Sequence, residues 1–224
     1  MVYASQLREL GPPISDDEFV TAGSAGADHI ATHHPGATVA AVGGDGITQP
    51  LIERGISLCD GHAPEKCPAV FVGAAASYSH AQLNAACLAV EAGATLYVTQ
   101  NQPWFHGGLG RSVAASAAIA AAITWVTGVQ PRLTGKPSPV LAEALLRRLG
   151  VPAEHVAVVG DAPAEITLAR SMGARSVAVL TGALTAAQIA GSRPDLRPDL
   201  TVADVAELHL LLASSLTPTP GARS

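Results

Sequence analysis

The sequence predicts an α/β fold built on parallel sheets, and three observations carry that prediction. Short runs of small and β-branched apolar residues recur along the chain. Helical patterns lie between them, several closed by a glycine, which is the signature of βαβ units with sheets buried on both faces. The length of 224 residues and an apolar content of 48% are enough for one large or two small cores.

Taken in order, TVAAVGG (38–44) is the first strand candidate, and the helical segment QPLIERGI follows it. AVFVGAA (69–75) is the second, answered by HAQLNAACLAVEAG; TLYVTQ (95–100) is the third. SVAASAAIAAAITWV (112–126) is too short to cross a bilayer and mostly alanine, so it reads as a buried helix. Proline and glycine cluster in TGVQPRLTGKP (127–137), where a boundary is expected. Beyond it, PVLAEALLRRLG and ITLARSMG read as helices, and VAVVGD (156–161) and SVAVLTG (176–182) as strands. The final SSLTPTPGARS (214–224) has the composition of a disordered tail.

Charge and cysteine usage exclude several classes of function. A net charge of −5, with no Lys/Arg run interleaved with aromatics, argues against nucleic acid as a partner. No apolar stretch is long enough for a membrane. Three cysteines make no disulfide framework, and the start MVYASQLREL lacks the features of a signal peptide. A soluble, cytoplasmic protein acting on a small molecule is the expectation.

Candidate chemistry gathers just past strand ends, where ligands bind in open α/β sheets. VAVVGDAPAEI delivers Asp161 at a strand tip, as a functional carboxylate or as the cap of the next helix. Only two lysines stand against eleven arginines. Lys136 is therefore either a compact point charge suited to phosphate or carboxylate, or a surface residue in the turn before Pro137. After the second strand come Tyr78 and His80; after the third come Gln100, Asn101, Trp104, Phe105 and His106. Aromatics with a few polar groups suit a small-molecule pocket, although Trp104 and Phe105 could equally plug a cavity. With His33 and His34 of ATHHPG, these loops hold four of the eight histidines. LCDGHAPEKC offers Cys59, His62 and Cys67 as soft ligands, but at a spacing that matches no usual zinc finger, and no metal is assigned there.

TGKPSP (134–139), VVGDAPAEI and SVAVLTG together resemble the C-terminal half of the haloacid dehalogenase (HAD) superfamily, of the NagD-like, p-nitrophenylphosphatase type. SQLRELGPPISDDEFVTAGSAGADHI resembles that family's join between core and cap, and VAAVGGDGI, VFVGAAASYSHAQL and LYVTQNQPW resemble its cap strands. The resemblance implies a truncated HAD-like Rossmannoid core with an inserted α/β cap domain. Residues 1–19 would be a core remnant, 20–126 the cap, 127–213 the C-terminal half of the core and 214–224 the tail. It further implies that Lys136 steadies charge on the nucleophile and the transferring phosphoryl group, that Asp161 holds Mg²⁺, and that Glu165 stands where the family has a second acid.

The sequence also departs from the family. No DxDGT nucleophile motif occurs in these residues, and GGDGI (43–47) lacks its first aspartate. An aspartyl-phosphate route needs an in-line nucleophile that Lys136 cannot replace. Asp161 and Glu165 alone leave too few oxygen ligands for Mg²⁺, so no cofactor is expected beyond weak residual Mg²⁺ binding. The expected function is therefore HAD-like without Mg²⁺-dependent phosphatase activity, repurposed for acid–base chemistry on a small non-phosphate molecule: a cyclisation, dehydration or isomerisation. Lys136, Asp161, His80 and His106 would be catalytic, and Tyr78, Asn101, Trp104, Phe105 and Glu165 would bind substrate. The alternatives are a non-catalytic ligand- or partner-binding protein, or a phosphatase shortened by a misassigned start. A homodimer is expected, burying either the 156–159 strand edge or the adjacent core face, with the alanine-rich helix a second candidate surface.

Overall fold

The computed structural model describes residues 2–59, 62–107 and 110–216. The chain divides into two compact units, Met1–Arg148 and Leu149–Ser224. In the first, α1 (Val2–Glu9) and α2 (Ala22–His33) precede β1 (Thr38–Val42), α3 (Asp45–Glu53), β2 (Ser57–Leu58) and β3 (Ala69–Val72). Then come α4 (His80–Glu91), β4 (Thr95–Val98), β5 (Trp104–Gly107), β6 (Gly110–Val113), α5 (Ala115–Thr127), β7 (Arg132–Leu133) and α6 (Pro139–Leu149).

Five of these strands form one parallel sheet in the order β2-β1-β3-β4-β7. Alternation along β3 sorts its side chains to two faces. Val70 and Val72 pack with Cys87 and Val90 of α4 and Ile123 of α5. Ala69 and Phe71, with Tyr97 of β4, pack with Ile30 of α2 and with Ile47 and Leu51 of α3. Every residue of β3 is buried, the expected fate of a central parallel strand. Helix starts are set locally: the side chains of Thr21 and Ser79 accept from the backbone N–H groups of Ser24 and Gln82 at 3.0 and 3.1 Å. Gly26 on α2 faces the ring of Phe71, and a Cβ there would collide with it.

The second unit carries β8 (Ala157–Gly160), α7 (Pro163–Met172), β9 (Arg175–Val179), α8 (Ala186–Gly191), β10 (Leu200–Val202) and α9 (Val205–Leu216). Its sheet is parallel with the order β10-β9-β8, so β8 is an edge among the described residues. Val177, Val179, Val202 and Leu208 form one small core, and Ile166, Ala178 and Leu184 the other.

The five apolar runs read from the sequence are β1, β3, β4, β8 and β9. Four findings differ from the reading. The alanine-rich helix is buried on one side only: α5 hides Ser116, Ala120 and Ile123 but leaves Trp125 87% exposed. The segment after β4 is not loop throughout, since β5 and β6 pair as an antiparallel hairpin. Helix α9 takes in residues 214–216 of the expected tail, and 217–224 lie outside the described residues. The short strand β7 lies within the 127–137 segment and joins the first sheet, beside β4.

Candidate functional site

In the first unit, the residues singled out by sequence follow the carboxyl ends of three parallel strands. Lys136 comes just after β7, and its backbone is fixed by two neighbours. The buried hydroxyl of Thr134 lies 3.0 Å from the carbonyl of Ala22 and 3.3 Å from that of Val98. Gly135 presses on the carbonyl of Thr99 and on Ala22, leaving no room for a Cβ. Lys136 itself is exposed, and Ser138 opens α6 by accepting from the N–H of Leu141 at 3.1 Å. The segment TGKPS thus leaves the sheet at the same end as Gln100 and Asn101.

Tyr78 and His80 follow β3. The Tyr78 hydroxyl donates to the carbonyl of Gly73 at 2.9 Å and accepts from the N–H of Ala75 at 3.0 Å. Burial pushes the phenol above its ordinary value. Its polar atom therefore holds its own loop in shape. His80 is the first residue of α4 and is exposed. Past β4, Asn101 is exposed, and Trp104 and Phe105 on β5 are each about half exposed, which argues against their plugging a cavity. The Arg111 guanidinium lies 4.1 Å from the Trp104 ring centroid, a cation–π contact across the hairpin. His106 is paired with Arg111 in the strand register, and its side chain lies outside the described residues.

In the second unit, Asp161 stands at the tip of β8 with an exposed side chain, while its carbonyl accepts from the N–H of Leu184 at 2.8 Å. Gly182 lies where a Cβ would occupy the space of the Asp161 carboxylate. The helix-cap reading of Asp161 is corrected: Ala162 is the N-cap position of α7, and Glu165 turns back to accept from the Ala162 N–H at 3.1 Å. Glu165 is 8% exposed and lies over Gly160. One acid at this tip faces outward and the other secures the turn.

An octahedral Mg²⁺ needs six oxygen ligands, and the described residues contain no group of three or more His, Cys, Asp or Glu placed to hold an ion. Asp161 offers one outward carboxylate, so these residues do not by themselves fit the metal. Cys67 is buried in the first unit's core, with Cys59 packed against it.

The sequence reading missed a polar cluster at the end of α2. The rings of His29 and His33 stack at 3.9 Å, and His34 Nε2 lies 3.3 Å from the hydroxyl of buried Tyr97. Burial, then the neighbouring His33, push His29 and His34 below the ordinary imidazole value. Only the i, i+4 spacing of His29 and His33 on one helix face could have signalled it.

Residues 133–208 match the HAD-hydrolase-like family. The chain is 33% identical over 184 residues to an acid sugar phosphatase of Staphylococcus epidermidis, covering 80% of this chain and 68% of that protein. It is 32% identical over 210 residues to one of Staphylococcus saprophyticus, covering 92% and 77%. The p-nitrophenyl phosphatase structure from Archaeoglobus fulgidus superposes with a TM-score of 0.83 at 28% identity, over 94% of this chain and 80% of that one.

Proposed function

The chain belongs to the haloacid dehalogenase superfamily, among relatives of acid sugar phosphatases and p-nitrophenylphosphatases, and from that premise we propose that its residues serve the hydrolysis of a phosphate monoester. The observation that carries this reading is that each unit ends a parallel strand in one residue suited to it: Lys136 in the first, on a backbone fixed by Thr134 and Gly135 after β7, and an exposed Asp161 in the second, at the tip of β8. The lysine suits the oxygens of a phosphoryl group directly, and the carboxylate suits them only through a shared cation. Lys136 supplies a compact positive charge for its oxygens, and Asp161 an outward carboxylate held at its backbone by Leu184.

The non-phosphate chemistry expected from the sequence has nothing in its favour. The relatives are named for phosphate esters, the Tyr78 hydroxyl is spent on its own loop, and His80 is an exposed residue at a helix start. Phosphoryl transfer through an aspartate needs a nucleophile in line with phosphorus. These residues contain no DxDGT. The nucleophile is accordingly assigned to sequence outside them, and the open edge of β8 would accept a strand bearing it.

Reading the DNA upstream of Met1 for an in-frame DxDGT, then assaying both forms with p-nitrophenyl phosphate, tests the assignment. The extended form is expected to hydrolyse the ester and the 224-residue form to leave it intact. Lys136→Met and Asp161→Asn in the extended form are expected to lower kcat by about 100-fold or more, the usual cost of losing a preorganised charge. An upstream region with no nucleophile, or activity indifferent to both substitutions, would overturn it.

A further inference from the structure

Helix α2 joins two places in the first unit. Its first residue meets the turn that carries Lys136: the Ala22 carbonyl accepts from the Thr134 hydroxyl at 3.0 Å, and the Ala22 methyl lies against Gly135. One turn on, Gly26 leaves room for the Phe71 ring and for the same Thr134 hydroxyl, where a Cβ would crowd both. Its second half carries His29 and His33, and His34 is its C-cap. Twelve residues make a rod of about 18 Å between these ends. The sheet makes a second link. Tyr97, which touches His34, is paired in register with Arg132 of β7, and the chain runs from Arg132 straight into the turn of Lys136.

The three imidazoles are seated for their neutral forms. His34 Nε2 lies 3.3 Å from the Tyr97 hydroxyl, and the His29 ring meets the same phenol edge-on at 5.6 Å. His33 Nδ1 donates to the His29 carbonyl at 2.8 Å, which stacks its ring on that of His29. The buried His29 Nδ1 has no hydrogen-bond partner. A charged imidazole carries a hydrogen on both nitrogens, so protonated His29 would bury a donor with no acceptor. The charges facing this end do not offset that cost. Arg132 of β7, His33 and His34 oppose a proton on His29, and His33 and Arg132 oppose one on His34. Glu143 of α6 favours one on His29, but Glu143 is paired with Arg147 at 3.3 Å, and Asp28 is held by Arg54 of α3 at 2.5 Å.

We propose that His29, His33 and His34 form a proton-operated latch on Lys136: neutral, they seat α2 against Tyr97 and Arg132 and keep the turn at Thr134 and Gly135 in place; charged, they lift the end of α2, and the turn loosens with it. A packed helix shifts as a unit by about 1–2 Å, and α2 leans on Thr134 at both Ala22 and Gly26, so a shift at its histidine end reaches the turn. Protonation of clustered histidines at about pH 5–6 is the kind of charge change that drives such a movement. For the reaction proposed above, the latch presents the lysine's charge at neutral pH and withdraws it in mild acid; it rests on that reading for this consequence alone.

The chain has two lysines, Lys66 and Lys136, so reductive methylation with ¹³C-formaldehyde gives two lysine NMR signals beside that of the amino terminus, and Lys136→Arg identifies the one that matters. On acidification from neutral pH, the Lys136 signal is expected to shift with a midpoint below 6.5. Over the same range, hydrogen exchange of the Thr134 amide, corrected for the intrinsic rate, should quicken about fivefold or more, as for ordinary coupling between sites. The His29→Gln, His34→Gln double variant should abolish both responses. His33→Gln, at an exposed position, removes a repelling charge and should raise the midpoint toward 6.5. A Lys136 signal and Thr134 exchange that ignore pH while the imidazole ring protons titrate would overturn the latch, as would a response that survives in the double variant. If the double variant does not fold, His33→Gln decides alone, and a midpoint unmoved or lowered overturns it. Neither readout needs a phosphate ester, so the latch and the phosphatase reading can fail separately.

Discussion

The two sheets are built from similar strands yet treat them differently. In the first unit, β3 lies between β1 and β4 and all four of its residues are buried. In the second, β8 has a neighbour on one side only among the described residues, and its pattern alternates between exposed and half-buried, with Val159 42% exposed. The sequences AVFV and AVVG are nearly the same in apolar content. Position in the sheet, rather than composition, decides how much surface each strand hides. A strand like β8 is stable where it is tied at its ends: Arg175 N–H donates to the Val156 carbonyl at 2.9 Å, and Leu184 N–H to that of Asp161 at 2.8 Å.

The sharpest way to break this contrast is to truncate one side chain in each strand. Phe71→Ala, at a fully buried position, is expected to cost about 3–5 kcal/mol in urea unfolding. Val159→Ala should cost less than about 1 kcal/mol, because much of the side chain is already in water. Equal costs would mean that something covers β8 in solution.

A smaller effect is expected within the second unit. The Asp199 carboxylate accepts from both the N–H and the hydroxyl of buried Ser176 at 2.7 Å and pairs with Arg170 at 3.2 Å. Asp199→Ala leaves those groups unpaired and should destabilise by about 1–3 kcal/mol. A negligible change would show that water replaces the carboxylate there.

The smallest effects are read by pH, and they separate the two units. The Ser176 N–H, then its hydroxyl, hold Asp199 below its ordinary value of 3.8. Its stabilisation is present above that value and is lost as pH falls through the lowered one. His29 and His34 are held below their ordinary value of 6.5. They stay neutral in the fold while the unfolded chain takes up protons, so their stabilisation is present above about pH 6.5 and declines as pH falls from there toward their lowered values. Thermal melts between pH 8 and 3 should therefore show the first unit weakening in mild acid and the Asp199 contribution disappearing only below about pH 4. His29→Gln should flatten the first decline. A melting temperature constant from pH 8 to 5 would show that the histidines do not couple to folding.

The same contrast explains what could be read from sequence. Strands β1, β3, β4, β8 and β9 announce themselves because a parallel strand buried in a sheet is a local apolar run. The two- and three-residue strands β2, β7 and β10 carry no such run, since pairing and not composition defines them. The hairpin of β5 and β6 is held by Arg111 over Trp104 and has no apolar alternation to reveal it. The place of Asp161 at a strand tip was legible because VVGD is contiguous with its strand, whereas Lys136 follows a two-residue strand that only the fold reveals. The role of Glu165 as the clasp of α7 was not legible, and neither was the pairing of His34 with Tyr97, which are 63 positions apart in sequence.

The contacts of Thr134 and Gly135 bear on how this protein can drift through mutation. Both residues press against main-chain atoms, the carbonyls of Ala22, Val98 and Thr99, which no substitution removes. Side chains around the loop can therefore be exchanged over many generations without moving the lysine that follows. A change at position 135 itself acts at once, because any replacement must push the chain off β4. The tolerance of the neighbourhood and the intolerance of that one glycine have a single origin in the backbone of the sheet.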